Sequence, residues 1–205
     1  MTLAPRGPTL RFDTPDYILR SLVHGDENEA WGNWLADPRL AANLNAVPRA
    51  RTMAELTMYI DKFDRITGHL FGIFDRSDNT MVGIRTIEID TARRAFNVHV
   101  LVGEREIWGQ GAKEQTSVAL INWAFEICDL IWCEATVLAS NRKMLRHLDE
   151  TGWVIWGKAI KPAAVDGRAI ELIKLRRHRD VWRKDPRSSF VTGVPPQTGL
   201  EHSAG

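Results

Sequence analysis

In the stretch Ile107 to Phe125, IWGQGAKEQTSVALINWAF, two glycines and a lysine stand between apolar strand formers and a helix-spaced run. Glycines at such a junction free consecutive backbone N–H groups to face an anion, and the start of the helix adds about half a positive charge. Phosphate binding is the chemistry this suits. Spacing then separates the kinds of phosphate site. A Walker loop needs Gly-Lys-Ser/Thr, whereas Lys113 follows Ala112 and precedes Glu114. A dinucleotide fingerprint needs a third glycine three residues after the second, and after Gly109 and Gly111 that position holds Glu114. Neither fits. A turn that binds nothing stays open, its glycines serving only a tight connection. If a diphosphate does sit there, Gly111 lacks a side chain because the anion or the adjoining strand comes too close for one. Lys113 then either reaches a phosphate oxygen or points into water.

Other groups able to do chemistry are sparse. Cys128 and Cys133 have no clustered histidine or acidic ligands beside them, so both are expected as buried free thiols and no metal is expected. The balance of 27 basic against 26 acidic residues, net +1, supplies no field to gather nucleic acid or an anionic membrane, and neither is expected as a partner. No segment approaches the apolar run of a membrane helix, and the start MTLAPRGPTL lacks the regions of a signal peptide, which makes the cytoplasm the expected location.

These groups need a scaffold. A chain of 205 residues, 44% of them apolar, suffices for one sizeable core. Pro, Gly and Ser with few large apolar residues mark residues 1–8 as a flexible N-terminus and 185–205 as a flexible tail, leaving one domain over 9–184. Inside it, TLRFDTPDYILRSLV favours extended structure, and Ala30, Trp31, Trp34 and Leu35 are helix-spaced before Pro38. Thr52 and Glu55 form a capping-box pattern for a helix through Phe63, with Gly68 as its stop. Three β-type runs between His69 and Gly103 predict an antiparallel meander. A helix after the glycine turn, a strand at LIWCEATVLA, a helix closed by Gly152 and two last strands complete a mixed α and β order. On the helix after the turn, Gln115, Asn122, Glu126 and Asp129 recur as a solvated face.

Taken together, NVHVLVGEREIWGQGAKEQTSVALINWAF, YILRSLVHGDENEAWGNWLADP and ATVLASNRKMLRHLDETGW resemble the GNAT superfamily of acyl-CoA-dependent N-acyltransferases, in particular its Rim-type, ribosomal-protein N-terminal acetyltransferase-like branch. The likeness covers about residues 9 to 177. It implies an α/β (α+β) acyltransferase fold with a mixed, mostly antiparallel sheet flanked by helices. It also implies acetyl-CoA as co-substrate, its diphosphate on Trp108, Gly109, Gln110, Gly111, Ala112, Lys113 and Glu114. Leu101, Val102 and Gly103 match the strand that splays to hold the pantetheine, and Asn141 matches a coenzyme contact that is equally an N-cap for the helix after it. Trp108 stands where the turn pattern has Gln or Arg, and Lys113 where it has Gly or Ala.

Proton handling departs from the pattern. Leu148 fills the slot of the family's tyrosine acid, and Asn97 that of its glutamate base. His99, on the same strand face as Asn97, is the nearest titratable replacement, with Glu104 and Glu88 as further candidates. Trp31 and Trp34 belong to the helix that walls the acceptor groove, where they and Asn97 contact substrate or, for the tryptophans, pack in the core. The resemblance thus implies acetyl transfer to a primary amine, on a protein N-terminus or a small molecule, by a protein able to form oligomers. The alternative is a non-catalytic or altered module that binds acyl-CoA as a sensor or scaffold.

Overall fold

Alternation of inward and outward side chains governs the strands of the computed structural model, which describes residues 6–43, 45–163 and 166–189. A short hairpin pairs Arg11–Asp13 (β1) with Tyr17–Ser21 (β2). Gly68–Asp75 (β3), Met81–Asp90 (β4) and Ala95–Val102 (β5) form the expected antiparallel meander. Trp132–Leu138 (β6), Val154–Pro162 (β7) and Ala169–His178 (β8) complete one sheet in the order β1-β2-β3-β4-β5-β6-β8-β7. Every neighbouring pair is antiparallel except β5 with β6. The mixed, mostly antiparallel sheet flanked by helices is the one expected.

Each sheet face carries its own layer. Against one face pack Glu29–Trp34 (α1), Pro38–Asn43 (α2) and Met53–Asp61 (α3), burying Trp31, Trp34 and Ile60 on Leu70, Ile84 and Leu101. Against the other lie Ala112–Asn122 (α4), Arg142–Glu150 (α5) and Arg179–Arg183 (α6). There Phe71, Ile87, Phe96, Leu120 and Phe125 are almost completely buried. Each such side chain contributes about 1.5–3 kcal/mol. In β5 the period of two sends Phe96, Val98 and Val100 toward α4, and Asn97, His99 and Leu101 toward α3.

Local signals hold the helix starts. Asn28 caps α1 through Trp31 N–H, and Thr52 with Glu55 closes the predicted capping box of α3 at 3.2 and 3.0 Å. Two details differ from expectation. Pro38 does not merely follow a helix but opens α2, since proline loses nothing at a first helical position. Gly68 begins β3 rather than stopping α3; the stop comes earlier, where the Asp64 carboxylate accepts the N–H groups of Ile66, Thr67 and Gly68.

The packed chain also runs past the expected boundaries. Gly7 N–H donates to Asp64 O at 2.8 Å and Arg6 pairs with Asp61, while residues 1–5 of the expected N-terminal segment lie outside the described residues. At the other end, Asp185–Ser189, expected in the tail, fold onto α4, with Asn122 donating to Ser188 O. Asp185 is 7% exposed and bonds Arg187 and the buried Arg177. Residues 190–205 lie outside the described residues. The expected solvated face of α4 is half a seam: Gln115 and Asn122 are partly buried against neighbouring segments, while Glu126 and Asp129 are exposed and carry surface ion pairs. Gln115 bonds Thr14 and Asp16, Asn122 bonds Trp182, Glu126 bonds Arg183, and Asp129 bonds Arg94 and Arg179.

Removing Asp185 leaves the Arg177 charge buried and unpaired, so Asp185→Asn is expected to destabilise the fold by about 3 kcal/mol. Arg187 first, then Arg177, holds the Asp185 carboxyl well below the usual carboxylate range. A depressed folded pKa stabilises above the unfolded value of about 3.9 and the contribution fades as pH falls further. Denaturant melts of both proteins should differ most near neutral pH and converge below about pH 4; a constant difference refutes this account.

Candidate functional site

The central feature is an opening in the sheet. β5 and β6 pair at only three positions, Ala95 with Trp132, Phe96 with Cys133 and Asn97 with Glu134. Beyond them β5 stays with β4 and β6 stays with β8. Gly103 N–H donates to Val82 O at 2.9 Å, so in the alternating antiparallel ladder Leu101 and His99 also turn their backbone groups to β4. The Val98 N–H closes the last bond to Glu134, and the Val98 carbonyl and both backbone groups of Val100 and Val102 turn into the gap. The result is a V-shaped cleft whose vertex is Asn97 and Glu134 and whose mouth lies beside Val102.

Of the three residues matched to the pantetheine strand, Val102 alone faces the gap with its backbone, and its carbonyl accepts Trp108 Nε1–H at 3.1 Å. Leu101 is buried on the α3 side. Gly103 lies under Trp34, where an added Cβ comes within 2.0 Å of the indole. Its missing side chain serves packing. Val98 and Val100 are the strand residues the matching overlooked.

The turn at the mouth is shaped by φ. Gly109 and Gly111 have φ of +86° and +88°, a region that costs other residues strain. A Cβ on Gly109 meets nothing within 4 Å, and one on Gly111 meets only the end of the Gln115 amide at 3.1 Å. Conformation requires glycine at both positions, and no adjoining strand stands close to Gly111. Gly111 caps α4 without a side-chain bond, and the first helical bond is Gln115 N–H to Gly111 O. The N–H groups of Gly111, Ala112, Lys113 and Glu114 are thus left to face a ligand. Gln110 differs: its N–H goes to Ile107 O, and its carbonyl accepts Tyr17 Oη–H at 3.3 Å. Ala112 puts its methyl in the core, Glu114 is exposed, and Trp108 is about half exposed.

Beneath the first turn of α4 lies a charge the sequence reading missed. Arg85, 2% exposed on β4, donates to Thr116 Oγ1 at 2.7 Å, to Ser117 Oγ and to Lys113 O. These partners are neutral, and burial pushes its pKa down to about 9. Burial also lowers that of half-buried Lys113, with Arg85 adding to the effect and Glu114 opposing it. Two cations against one exposed carboxylate leave this helix start electropositive. The available signal was an arginine at an inward position of a strand.

On the α3 side, His99 is exposed in a cleft of about 450 Å³ with Trp31, Tyr59 and Thr86 among its walls. Trp31 is buried yet meets Tyr59 edge-on, ring centres 6.4 Å apart. Trp34 lies in the core and donates to Glu104 at 2.9 Å, so Glu104 holds the indole and is separated from His99 by the strand end. Asn97 lies apart from both tryptophans, in a polar pocket of about 200 Å³ with Arg93, Glu134, Thr136, Trp156 and Lys174. Glu134 is 8% exposed, bonded to Arg93 and opposite Asn97; a lone acid inside an apolar strand was its signal, and the sequence reading passed over it.

Asn141 caps α5 through Met144 N–H at 3.1 Å, at the mouth end of β6, and Leu148 is packed in the core beneath β8. Glu88 is exposed on β4 opposite Asn97. Burial raises the thiols, Cys128 to about 11 and Cys133 further, so neither is a nucleophile. Among the described residues no group of three or more His, Cys, Asp or Glu could hold a metal, and no helix is long and apolar enough to cross a membrane.

Residues 16–154 match the model of an acetyltransferase (GNAT) domain. Among solved structures, a spermidine N-acetyltransferase from Vibrio cholerae in complex with CoA and spermine is 19% identical, with TM-score 0.66 over 80% of this chain and 96% of its own. A ribosomal-protein-S5-alanine acetyltransferase from Vibrio fischeri is also 19% identical, with TM-score 0.68 over 83% of this chain and 97% of its own. A GCN5-related N-acetyltransferase from Brucella melitensis is 17% identical, with TM-score 0.68 over 89% and 83%. At these identities the likeness shows the fold. No curated protein matches the chain.

Lys113 and the left-handed Gly111 can be tested separately for a part in anion binding. Calorimetry with coenzyme A should show Lys113→Ala binding roughly tenfold more weakly with a shallower salt dependence, as for loss of one charge-assisted contact. Gly111→Val, which cannot hold its φ cheaply, should lose measurable binding. Tighter binding by Lys113→Ala marks the lysine as an obstruction and refutes this role.

Proposed function

Because the chain belongs to the GNAT acetyltransferase family, we propose that it transfers the acetyl group of acetyl-CoA to a primary amine, on a small molecule or a protein N-terminus. The observation that carries this reading is the continuity of the cleft. The free N–H groups of Gly111 to Glu114 open onto the unpaired edge of β5, and that edge ends at a vertex flanked by Asn97, Glu134 and His99. From Val102 to Asn97 the strand rises about 17 Å, a length suited to an extended arm between diphosphate and thioester.

The residues fit the co-substrate by type. Backbone donors at an electropositive helix start suit a diphosphate, and strand-edge N–H and C=O groups suit the amides of a pantetheine arm. When bound, acetyl-CoA supplies an activated thioester carbonyl. In this reading a β5 edge N–H polarises that carbonyl, and such fixed donors need no reorganisation as charge develops. Trp108 covers the mouth until the arm takes its place at Val102. His99 faces the α3-side cleft, where it accepts the proton the amine must lose; Glu104, already bonded to Trp34, is left as a support. Both cysteines are free, as suits the reducing cytoplasm.

Acetyl-CoA should raise the melting temperature, its stabilisation reaching about 2.7 kcal/mol at one hundred times Kd. No shift at millimolar ligand refutes the assignment. His99→Ala should lower turnover by about 10²-fold or more while coenzyme affinity holds. Unchanged turnover across pH removes His99 from the reaction. Tight acetyl-CoA binding without thiol release across a broad amine panel would support the sensor alternative instead.

A further inference from the structure

The polar pocket beside the vertex has an unusual charge balance. Three cations surround one indole: Lys174 Nζ lies 5.4 Å from the Trp156 ring centre, and the guanidinium carbons of Arg93 and Arg176 lie 5.7 and 5.9 Å away. Of the nearby carboxylates, Glu134 and Asp90 pair with Arg93, and Glu88 stands across the β4–β5 pairing from Asn97, outside the pocket's lining. Among the described residues, neither Lys174 nor Arg176 makes an ion pair, and Arg176 Nε is buried without an acceptor. Among the lining residues Arg93 and Lys174 outnumber Glu134, and Arg176 adds a further cation beside the indole, so the pocket itself keeps a net positive charge. Glu134 offsets Arg93, to which it is bonded, and Lys174 remains without a carboxylate partner among the described residues.

The donors are of matching kind. Lys174, Asn97 and Thr136 contribute an ammonium, an amide and a hydroxyl, donors that recognise a carboxylate or phosphate oxygen group, while the Arg93 fork is engaged by Glu134 and Asp90. A volume of about 200 Å³ admits such a head group. Thr136 and Lys174 are register partners across β6 and β8, so rigid strands fix the donors. The pocket also adjoins the point where β5 and β6 part, since Asn97 and Glu134 are both its walls and the last paired residues of the opening.

We infer that this pocket is an anion subsite, and that the acceptor is a small amine carrying a carboxylate or phosphate within a few bonds of its nitrogen. The acceptor half of this inference rests on the acetyl-transfer reading; the subsite itself does not. A polyamine would bring positive charge to a positive pocket and be disfavoured by repulsion.

Two measurements test it. The first follows the Trp156 indole N–H in an NMR titration with inorganic phosphate, assigned through Trp156→Phe, in wild type and Lys174→Gln. A saturable shift that weakens roughly tenfold in Lys174→Gln is expected, the size of one lost charge-assisted contact. No shift, or an identical shift in the variant, overturns the subsite. The second compares kcat/KM for matched acceptors: β-alanine with its amide, phosphoethanolamine with ethanolamine, and spermidine. The anionic member of each pair should be preferred by roughly tenfold or more, and Lys174→Gln should erase the preference without changing the KM for acetyl-CoA. Equal or faster turnover of the neutral amines, of spermidine, or only of a peptide N-terminus overturns the acceptor class. A phosphate shift with no turnover of any amine would overturn acetyl transfer while supporting the subsite.

Discussion

The separation of β5 from β6 after Asn97 is the constraint on which the rest of the molecule turns. Unpaired backbone groups in a sheet interior are costly, about 1–3 kcal/mol for each buried one left without a partner. The Val98 carbonyl and both backbone groups of Val100 and Val102 face the opening, and among the described residues one of these groups, the Val102 carbonyl, is covered, by the Trp108 indole. A natural sheet that leaves such a gap between two central strands retains it against that cost. Because β6 runs parallel to β5, the helices that follow the two strands both begin at the same end of the gap, so the opening is flanked there by the uncapped start of α4 and the asparagine-capped start of α5. The topology thereby assembles a polar mouth, an unpaired edge and a closed vertex from one irregularity.

Rigidity around the mouth comes from side chains rather than from the turn. Gln115 ties α4 to Thr14 and Asp16, Tyr17 holds the carbonyl of Gln110, and Arg85 fastens the underside of the first helical turn to β4. At the far end of α4, Asn122 accepts from Trp182 and donates to Ser188. The left-handed glycines need this support, since glycine surrenders more conformational freedom than any other residue when it is ordered. Donors held in place before a ligand arrives lose little on binding it.

What was legible in the sequence was local. The capping box of Thr52 and Glu55, the asparagine cap at residue 141 and the turns of the meander act within a few residues, where type and spacing carry the physics. What was not legible was nonlocal. Gly103 looks like a coenzyme contact until Trp34, distant in sequence, is found lying on it. The polar stripe of α4 has the period of a solvated face, and its partners come from the N-terminal hairpin and the last helix. Arg85 and Glu134 sit at inward positions of strands, and hydropathy alone does not say whether an inward charge is buried against helix, strand or solvent. Register distinguishes them: one residue along β5 decides whether a backbone group meets β4 or the gap, and Leu101 and Val102 differ in that way.

The contact of Trp34 with Gly103 and Glu104 has a consequence for how the two halves of the site influence each other. The indole lies in the core on α1, the helix whose Trp31 lines the α3-side cleft, while the glycine and glutamate follow the strand whose edge lines the gap. With a Cβ's worth of space absent between them, neither side can shift without moving the other. A ligand that displaced one side of this contact would be felt at the other, and any such coupling is reciprocal: whatever factor one occupant imposes on the affinity of the second, the second returns to the first.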